Sequence, residues 1–313
     1  MLIEESTLKV VVWQQITRVS KVSNLSEIGI VLERFFRGFQ EKRNLQRSQA
    51  IVASFGSSGR TWLRALLSRA FVLEHGLQTN LIIDLDNLNR LCVDVPIVFF
   101  THDNYLRNYT GDGSSKKAFA HKPVLFLARH PGDVAVSQYY QWKYRMRRRK
   151  KKINNYPLEP ELSLFEFVMS TECGLPKIIR FMNEWADQLD VLPTHLVIRY
   201  EDLRTDTAAE LERVIAFLGG HVRSTNIIGA ISWASIENMR ALENQGSPLI
   251  DSGRSGKDRS TTNSYKARRA KVQGYRDDFT EDQLDAIDQL ISKTLSSVYG
   301  YGSFEPLSSI KAG

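Results

Sequence analysis

The stretch Ala50-Ile51-Val52-Ala53-Ser54-Phe55 runs into Gly56-Ser57-Ser58-Gly59, and a helical pattern begins at once. Six residues with a continuous apolar core are the length of a buried strand. From Thr61 to Glu74 the apolar residues Trp62, Leu66, Leu67, Ala70 and Phe71 fall on one helical face, and Gly76 stands just past the end. A buried strand that turns directly into a helix is half of a βαβ unit, which favours a parallel sheet. The glycines let the backbone approach a ligand, and the helix start offers unpaired N–H groups to an anion. Ser57, Ser58 and Thr61 add hydroxyl donors, and Arg60 adds a charged fork. Ser54–Trp62 is therefore the expected phosphate loop, against the alternative of an ordinary tight βα turn.

Further strand-length apolar runs occur at Ile97–Thr101, Pro123–Ala128 and Leu196–Tyr200. A helix starts near Asp133, and Ala208–Leu218 is amphipathic and ends at Gly219-Gly220. Strands alternating with helices predict an α/β fold: a single domain with a central, mostly parallel sheet flanked by helices. Residues 1–47 read as an N-terminal helical extension, with Ile28, Val31, Leu32, Phe35 and Phe36 at helical spacing, and 48–313 as the main domain. Arg147–Pro160 and Gln245–Ser264 read as mobile loops over the sheet edge.

The net charge of +7 is concentrated. Lys143, Arg145, Arg147, Arg148, Arg149, Lys150, Lys151 and Lys152 supply eight positive charges with no acid among them, and without them the chain would carry 7 − 8 = −1. A second basic cluster spans Arg254, Lys257, Arg259, Lys266, Arg268, Arg269, Lys271 and Arg276. Such clusters attract anions, whether nucleic acid, anionic lipid or a phosphorylated ligand, although a charge run is usually a solvated face. The two cysteines, Cys92 and Cys173, make no disulfide framework and no paired metal spacing. No metal is expected. The N-terminus lacks the basic start and long apolar stretch of a signal peptide, and no window reaches the apolar length of a membrane span. A cytoplasmic protein, monomeric or homodimeric, is the expectation.

A nucleoside-triphosphate loop of the G-x-x-x-x-G-K-[ST] type does not fit. Ser54 stands for the first glycine and Arg60 for the lysine, and Val124–Ala128 ends in Arg129 rather than a metal-binding acid. The sequence instead resembles the sulfotransferases that use 3′-phosphoadenosine 5′-phosphosulfate (PAPS). Phe55–Trp62 is similar to that family's Y-P-K-S-G-T-T-W motif, and Arg129–Ser137 to R-N-x-x-D-V-x-V-S. Thr101-His102 matches its T-H pair, Tyr200-Glu201-Asp202-Leu203 continues the likeness, and Arg268–Tyr275 is similar to R-K-G-x-V-G-x-W. Each motif is weak alone; five in family order are specific.

The resemblance implies a PAPS co-substrate, released as PAP, and a residue set for each part of it. Ser57, Ser58, Gly59, Arg60 and Thr61 would hold the 5′-phosphosulfate. Arg129 and Ser137, with Arg268, Arg269 and Ala270 from a loop, would hold the 3′-phosphate, for which a guanidinium fork is suited. Trp62 and Tyr200 would contact adenine. His102 is the candidate general base: an imidazole accepts a proton near neutral pH, and the position just after a strand is where open α/β sheets place ligands. The sequence departs from the family at Ser57, where a lysine is common. Arg60 is the suspected substitute for that missing charge.

A small-molecule acceptor is expected, with an alcohol as the default and an amine or guanidine nitrogen also open. Tyr105, Tyr109, Phe119, Tyr139, Tyr140 and Trp142 are candidates for its pocket or for core. The rival readings are a nucleic-acid-binding protein that uses both basic clusters and a P-loop nucleotide kinase. The first does not predict the glycine loop, Thr101-His102, Arg129 and Ser137 in this order, and the second is disfavoured by the absent lysine and acid of its loop.

Overall fold

Side chains alternate across β1 (Ala50–Ala53): Ala50 and Val52 enter one hydrophobic cluster, Ile51 and Ala53 another. Such alternation in a strand buried on both faces means helices cover both sides of the sheet. A computed structural model describes residues 25–158, 161–245 and 271–301. Helix α1 (Leu25–Arg47) precedes β1, which turns into α2 (Arg60–Glu74). β2 (Val98–Thr101) leads to the short α3 (Leu106–Thr110), and β3 (Val124–Ala128) to α4 (Pro131–Tyr140). A π-type turn at Gln141–Arg145 is followed by α5 (Arg148–Ile153), α6 (Leu164–Met169) and α7 (Leu175–Ala186). β4 (His195–Arg199) passes straight into α8 (Tyr200–Thr205), then α9 (Thr207–Phe217), α10 (Ser224–Trp233) and α11 (Ile236–Asn244). Beyond residue 270 the described chain forms α12 (Glu281–Thr294).

The sheet order is β2-β1-β3-β4, and every neighbouring pair is parallel. One face packs on Leu63, Leu66, Leu67 and Phe71 of α2, with α9 and α10 beside them. The other packs on Val134 of α4, Ile178 and Trp185 of α7, and Ile287 of α12. The expected α/β architecture is thus present. The order places β2 on one side of β1 and β3 on the other, so the strand order reverses between β1 and β3. Ligands of open parallel sheets bind outside the carboxyl ends of the strands at such a point.

Two expectations change. The basic stretch after Arg147 is not a loose loop: Arg148–Ile153 forms α5. Arg34 Nε donates to the Ile153 carbonyl at 2.8 Å, Lys177 Nζ to the Asn154 carbonyl at 2.8 Å, and Trp142 Nε1 to the Pro157 carbonyl at 2.7 Å. Lys151 is buried with its ammonium 4.6 Å from the Trp142 ring centre, so the stem covers an aromatic while other charges stay in water. The aromatic candidates also divide. Phe119, Tyr139 and Trp142 are core, whereas Tyr105, Tyr109 and Tyr140 are half-buried. The helical expectation for 1–47 holds from Leu25; residues 1–24 lie outside the described residues, as do 246–264 of the second predicted loop. No helix among the described residues is long and apolar enough to cross a membrane.

Candidate active site at the carboxyl edge of the sheet

The phosphate loop takes its shape from two left-handed residues. Gly59, at φ +92°, caps α2 without a side chain, so no side chain occupies the first-turn N–H groups. A Cβ on Gly59 would lie 2.5 Å from the Tyr200 ring, which closes the turn from the α8 side. Ser57 also has positive φ (69°), a conformation that costs a non-glycine residue energy and is found where surroundings impose it. The surroundings are visible. Arg129 Nη1 donates to the Ser57 carbonyl at 3.0 Å, Gln138 Nε2 donates to the Ser57 hydroxyl at 3.2 Å, and that hydroxyl donates to Gln141 Oε1 at 3.3 Å. Tyr156 OH in turn donates to Gln138 Oε1 at 3.2 Å. Ser57 is therefore braced by α4 and the turn after it. Its hydroxyl is engaged rather than free, and no lysine charge stands at this position.

Arg129 leaves the end of β3 and lies across the Tyr200 ring, 4.5 Å from its centre. Its Nη2 is 3.7 Å from the buried Asp133 carboxylate. That carboxylate also accepts the backbone N–H groups of Gln273 and Tyr275, each at 2.9 Å. One acid thus ties the start of α4 to the segment that follows Arg268, Arg269 and Ala270; these three lie outside the described residues. Ser137 is half-buried on α4, and Ser58 is buried beside the loop. His130 next to Arg129 stacks on Tyr275 at 5.0 Å and 11°, and burial with the Arg276 and Arg129 charges lowers its pKa to about 3. It packs as a neutral ring.

Trp62 donates its indole N–H to the Ala234 carbonyl at 2.9 Å and meets Tyr200 edge to face at 5.9 Å. Arg204 lies over its ring at 5.3 Å. The two predicted adenine residues therefore touch one another at the mouth of the loop, with Trp62 only half-buried.

His102 extends one residue past β2, next to β1 in the sheet. Its Nδ1 is 2.7 Å from the carbonyl of Ser54, the residue that opens the phosphate loop. A carbonyl only accepts, so Nδ1 carries the hydrogen and Nε2 holds the lone pair. Burial and the Arg60 charge hold the imidazole well below its usual pKa, against the bond to Ser54; Lys150 and Arg64 act in the same direction as Arg60. A neutral His102 with a free Nε2 is the form a proton acceptor needs.

Arg60 is the first residue of α2 and is half-buried, its Nη1 buried with no hydrogen-bond partner among the described residues. Burial lowers its pKa to about 10, helped by Arg64 and opposed by Asp84 and Glu41. It remains cationic at neutral pH. Thr61, half-buried, completes the first turn.

Glu41 of α1 is a participant that no motif announced. It accepts the backbone N–H groups of Tyr105 and Leu106, the former at 3.2 Å, and so caps α3 immediately after His102. Burial and Asp103 raise its pKa to about 7. A trace existed in the sequence: Glu41 follows the buried Gly38 by three residues and precedes the buried Leu45 by four, so it stands on the inward stripe of α1. An acid in an apolar stripe is the informative exception.

The second basic cluster is partly outside the described residues; within them, Lys271 pairs with Asp277 and Arg276 with Asp288. In the first, Arg149 pairs with Glu33 and Lys143 donates to Tyr139 OH at 3.0 Å.

Comparison with known proteins bears on the whole arrangement. Cytosolic sulfotransferase 1 of Arabidopsis thaliana is 26% identical over 289 residues, covering 82% of this chain and 81% of that protein. Flavonol 3-sulfotransferase of Flaveria bidentis is 23% identical, covering 80% and 82%. Among solved structures, retinol dehydratase with androsterone and inactive cofactor PAP aligns with a TM-score of 0.56 at 17% identity, covering 83% of this chain and 82% of that one. Mouse sulfotransferase SULT7A1 complexed with PAP aligns at 0.53 and 17%, covering 82% and 87%. These structures share the fold. The sulfotransferase domain family matches residues 115–298, more than half of the chain, including Arg129–Ser137 and Tyr200–Leu203. The chain belongs to the sulfotransferase domain family.

Proposed function

We propose that this sulfotransferase moves the sulfuryl group of PAPS to a hydroxyl of a small-molecule acceptor, with His102 as general base and Arg60 as the cation at the reacting centre. Residues 48–313 are the transferase domain in this reading, and 1–47 an extension that braces its acceptor side through Glu41. The observation that carries it is the 2.7 Å bond from His102 Nδ1 to the Ser54 carbonyl. It couples the base to the loop suited to the donor phosphate and leaves Nε2 ready for a proton.

In the reaction, the acceptor oxygen attacks sulfur as its proton passes to Nε2 of His102. The bond from sulfur to the bridging phosphate oxygen breaks, and PAP leaves with that electron pair. Negative charge grows on the bridging oxygen, so a fixed cation in a water-poor site is the effective stabiliser. Arg60 is suited to this: it is charged, its buried Nη1 has an unused N–H, and it acts electrostatically on His102. Ser57 assists as the braced hinge of the loop, with Ser58, Gly59 and Thr61 presenting donors to the phosphosulfate. Trp62 and Tyr200 offer flat faces to adenine. Arg129 and Ser137, joined by Arg268, Arg269 and Ala270, serve the 3′-phosphate. An amine nitrogen is the alternative acceptor, since the same lone pair can take its proton.

Incubation with labelled PAPS and a panel of alcohols and amines, read by mass spectrometry, tests the proposal. Sulfated alcohol is expected, and His102→Ala should abolish it while PAP still binds. Full turnover by His102→Ala would remove the histidine from the mechanism.

A further inference from the structure

At the amino edge of the sheet, across the molecule from the phosphate loop, lies a cavity of about 720 Å³. Residues just ahead of three strands line it: Gln49 before β1, Pro96 before β2 and Pro123 before β3. His75, Asp94, His221 and Glu74 share its wall. Here the fold assembles what linear spacing did not show. One ligand atom each from His75, Cys92 and Asp94 lies within 4.8 Å of the other two.

The three come from two braced elements. His75 ends α2, its N–H bonded to the Phe71 carbonyl and its ring stacked near Phe71 at 20°. Cys92 and Asp94 share a tight turn in which Val95 N–H donates to the Cys92 carbonyl at 3.1 Å. Asn89 straps that turn, donating to the Val93 carbonyl at 3.2 Å and the Val95 carbonyl at 2.8 Å. Cys92 Sγ and Asp94 Oδ2 are 4.0 Å apart.

From this geometry we infer a divalent transition-metal site at His75, Cys92 and Asp94, of zinc-like ligand preference, that clips the end of α2 to the turn before β2. One thiolate, one imidazole and one carboxylate suit borderline-soft Zn²⁺ or Co²⁺ and disfavour Mg²⁺ or Ca²⁺. The thiolate and carboxylate balance a dication. Bonds of about 2.0–2.3 Å in a tetrahedron set neighbouring ligand atoms roughly 3.5 Å apart. The half-buried Cys92 and His75 and the exposed Asp94 need move only about an ångström to reach that spacing. Water completes the fourth position. The site is remote from His102, so its role is structural and sulfuryl transfer does not depend on its ligands.

The full chain, stripped of metal with a chelator and titrated with Co²⁺, tests the inference. One equivalent should bind with a thiolate-to-cobalt absorption band in the near ultraviolet, and Zn²⁺ should displace it. Cys92→Ser should abolish the band, and His75→Ala should weaken binding at least about tenfold, the minimum seen when even outer partners of a metal site are lost. Both variants should keep wild-type sulfuryl transfer. A second measurement needs no variant: Zn²⁺ should slow alkylation of Cys92 at least about tenfold, while buried Cys173 serves as an internal reference. Binding without the thiolate band, or alkylation of Cys92 unchanged by Zn²⁺, would overturn the site.

Discussion

Replacing Glu41 by glutamine isolates the energetics of a half-buried carboxyl beside the candidate site. Burial raises this group from its ordinary 4.5 to about 7. The sign follows from linkage. Below pH 4.5 both folded and unfolded chains hold the proton, and Glu41 adds no pH-dependent cost. As pH rises from 4.5 to 7 the unfolded chain ionises and the folded one does not, so stability falls; above 7 the loss is complete. At about 1.36 kcal/mol per pH unit the full effect is about 3 kcal/mol, of which about 2.5 kcal/mol lies between pH 5 and pH 8. The amide of Glu41→Gln still accepts from Tyr105 but does not titrate. Any constant cost of the substitution cancels when the variant is compared with wild type at two pH values. With an unfolding entropy of roughly 2.1 cal/mol/K per residue over this chain, 2.5 kcal/mol corresponds to about 4 °C in Tm. Melting curves of both proteins at pH 5 and pH 8 should therefore show the variant gaining about 4 °C on wild type at the higher pH. An equal Tm difference at both pH values would refute a raised pKa at Glu41.

Three further outcomes follow from the site. The lowered pKa of His102 keeps the base neutral on the acid side of neutrality, so kcat/KM should stay flat down to pH 6.5 and fall only at lower pH; a limb centred at an ordinary imidazole value would contradict this. Arg60→Ala should cut kcat by about 10²–10³ and weaken PAP binding, and Arg60→Lys should restore part of both; unaltered turnover in Arg60→Ala would end its proposed role. Gly59→Ala sets a methyl group 2.5 Å from Tyr200 at φ +92°, so a loss of about 1–3 kcal/mol in stability and weaker PAP binding are expected, read by denaturant unfolding and by titration.

The strand–loop–helix at Ala50–Glu74 and the three later strands were legible because they depend on local pattern: apolar runs of strand length, glycines at the turn, a helical apolar face. Boundaries moved by one or two residues: α2 starts at Arg60 rather than Thr61, and β1 ends at Ala53 rather than Phe55. The fate of the basic stretch was not legible. Whether Arg148–Ile153 is helix or loop is decided by Arg34, Lys177 and Trp142, which satisfy polar groups around its end from elsewhere in the chain. The same holds for the engaged hydroxyl of Ser57, since Gln138 and Gln141 lie more than 80 residues away. His75, Cys92 and Asp94 carry no recognisable spacing at all; only the placement of α2 against the turn before β2 brings them together.

The two hydrogen bonds that Asp133 accepts from the N–H groups of Gln273 and Tyr275 have a consequence for synthesis of the chain on the ribosome. The phosphate loop, the base and Arg129 all emerge before residue 130, and the strands can pair once β4 is made. Asp133 waits through 140 further residues for the partners that satisfy its carboxylate. At about 5–20 residues per second that interval is on the order of ten seconds. During it the segment proposed to hold the 3′-phosphate is not yet tied to α4, so on the proposed function donor binding should mature as the last event of biogenesis rather than the first.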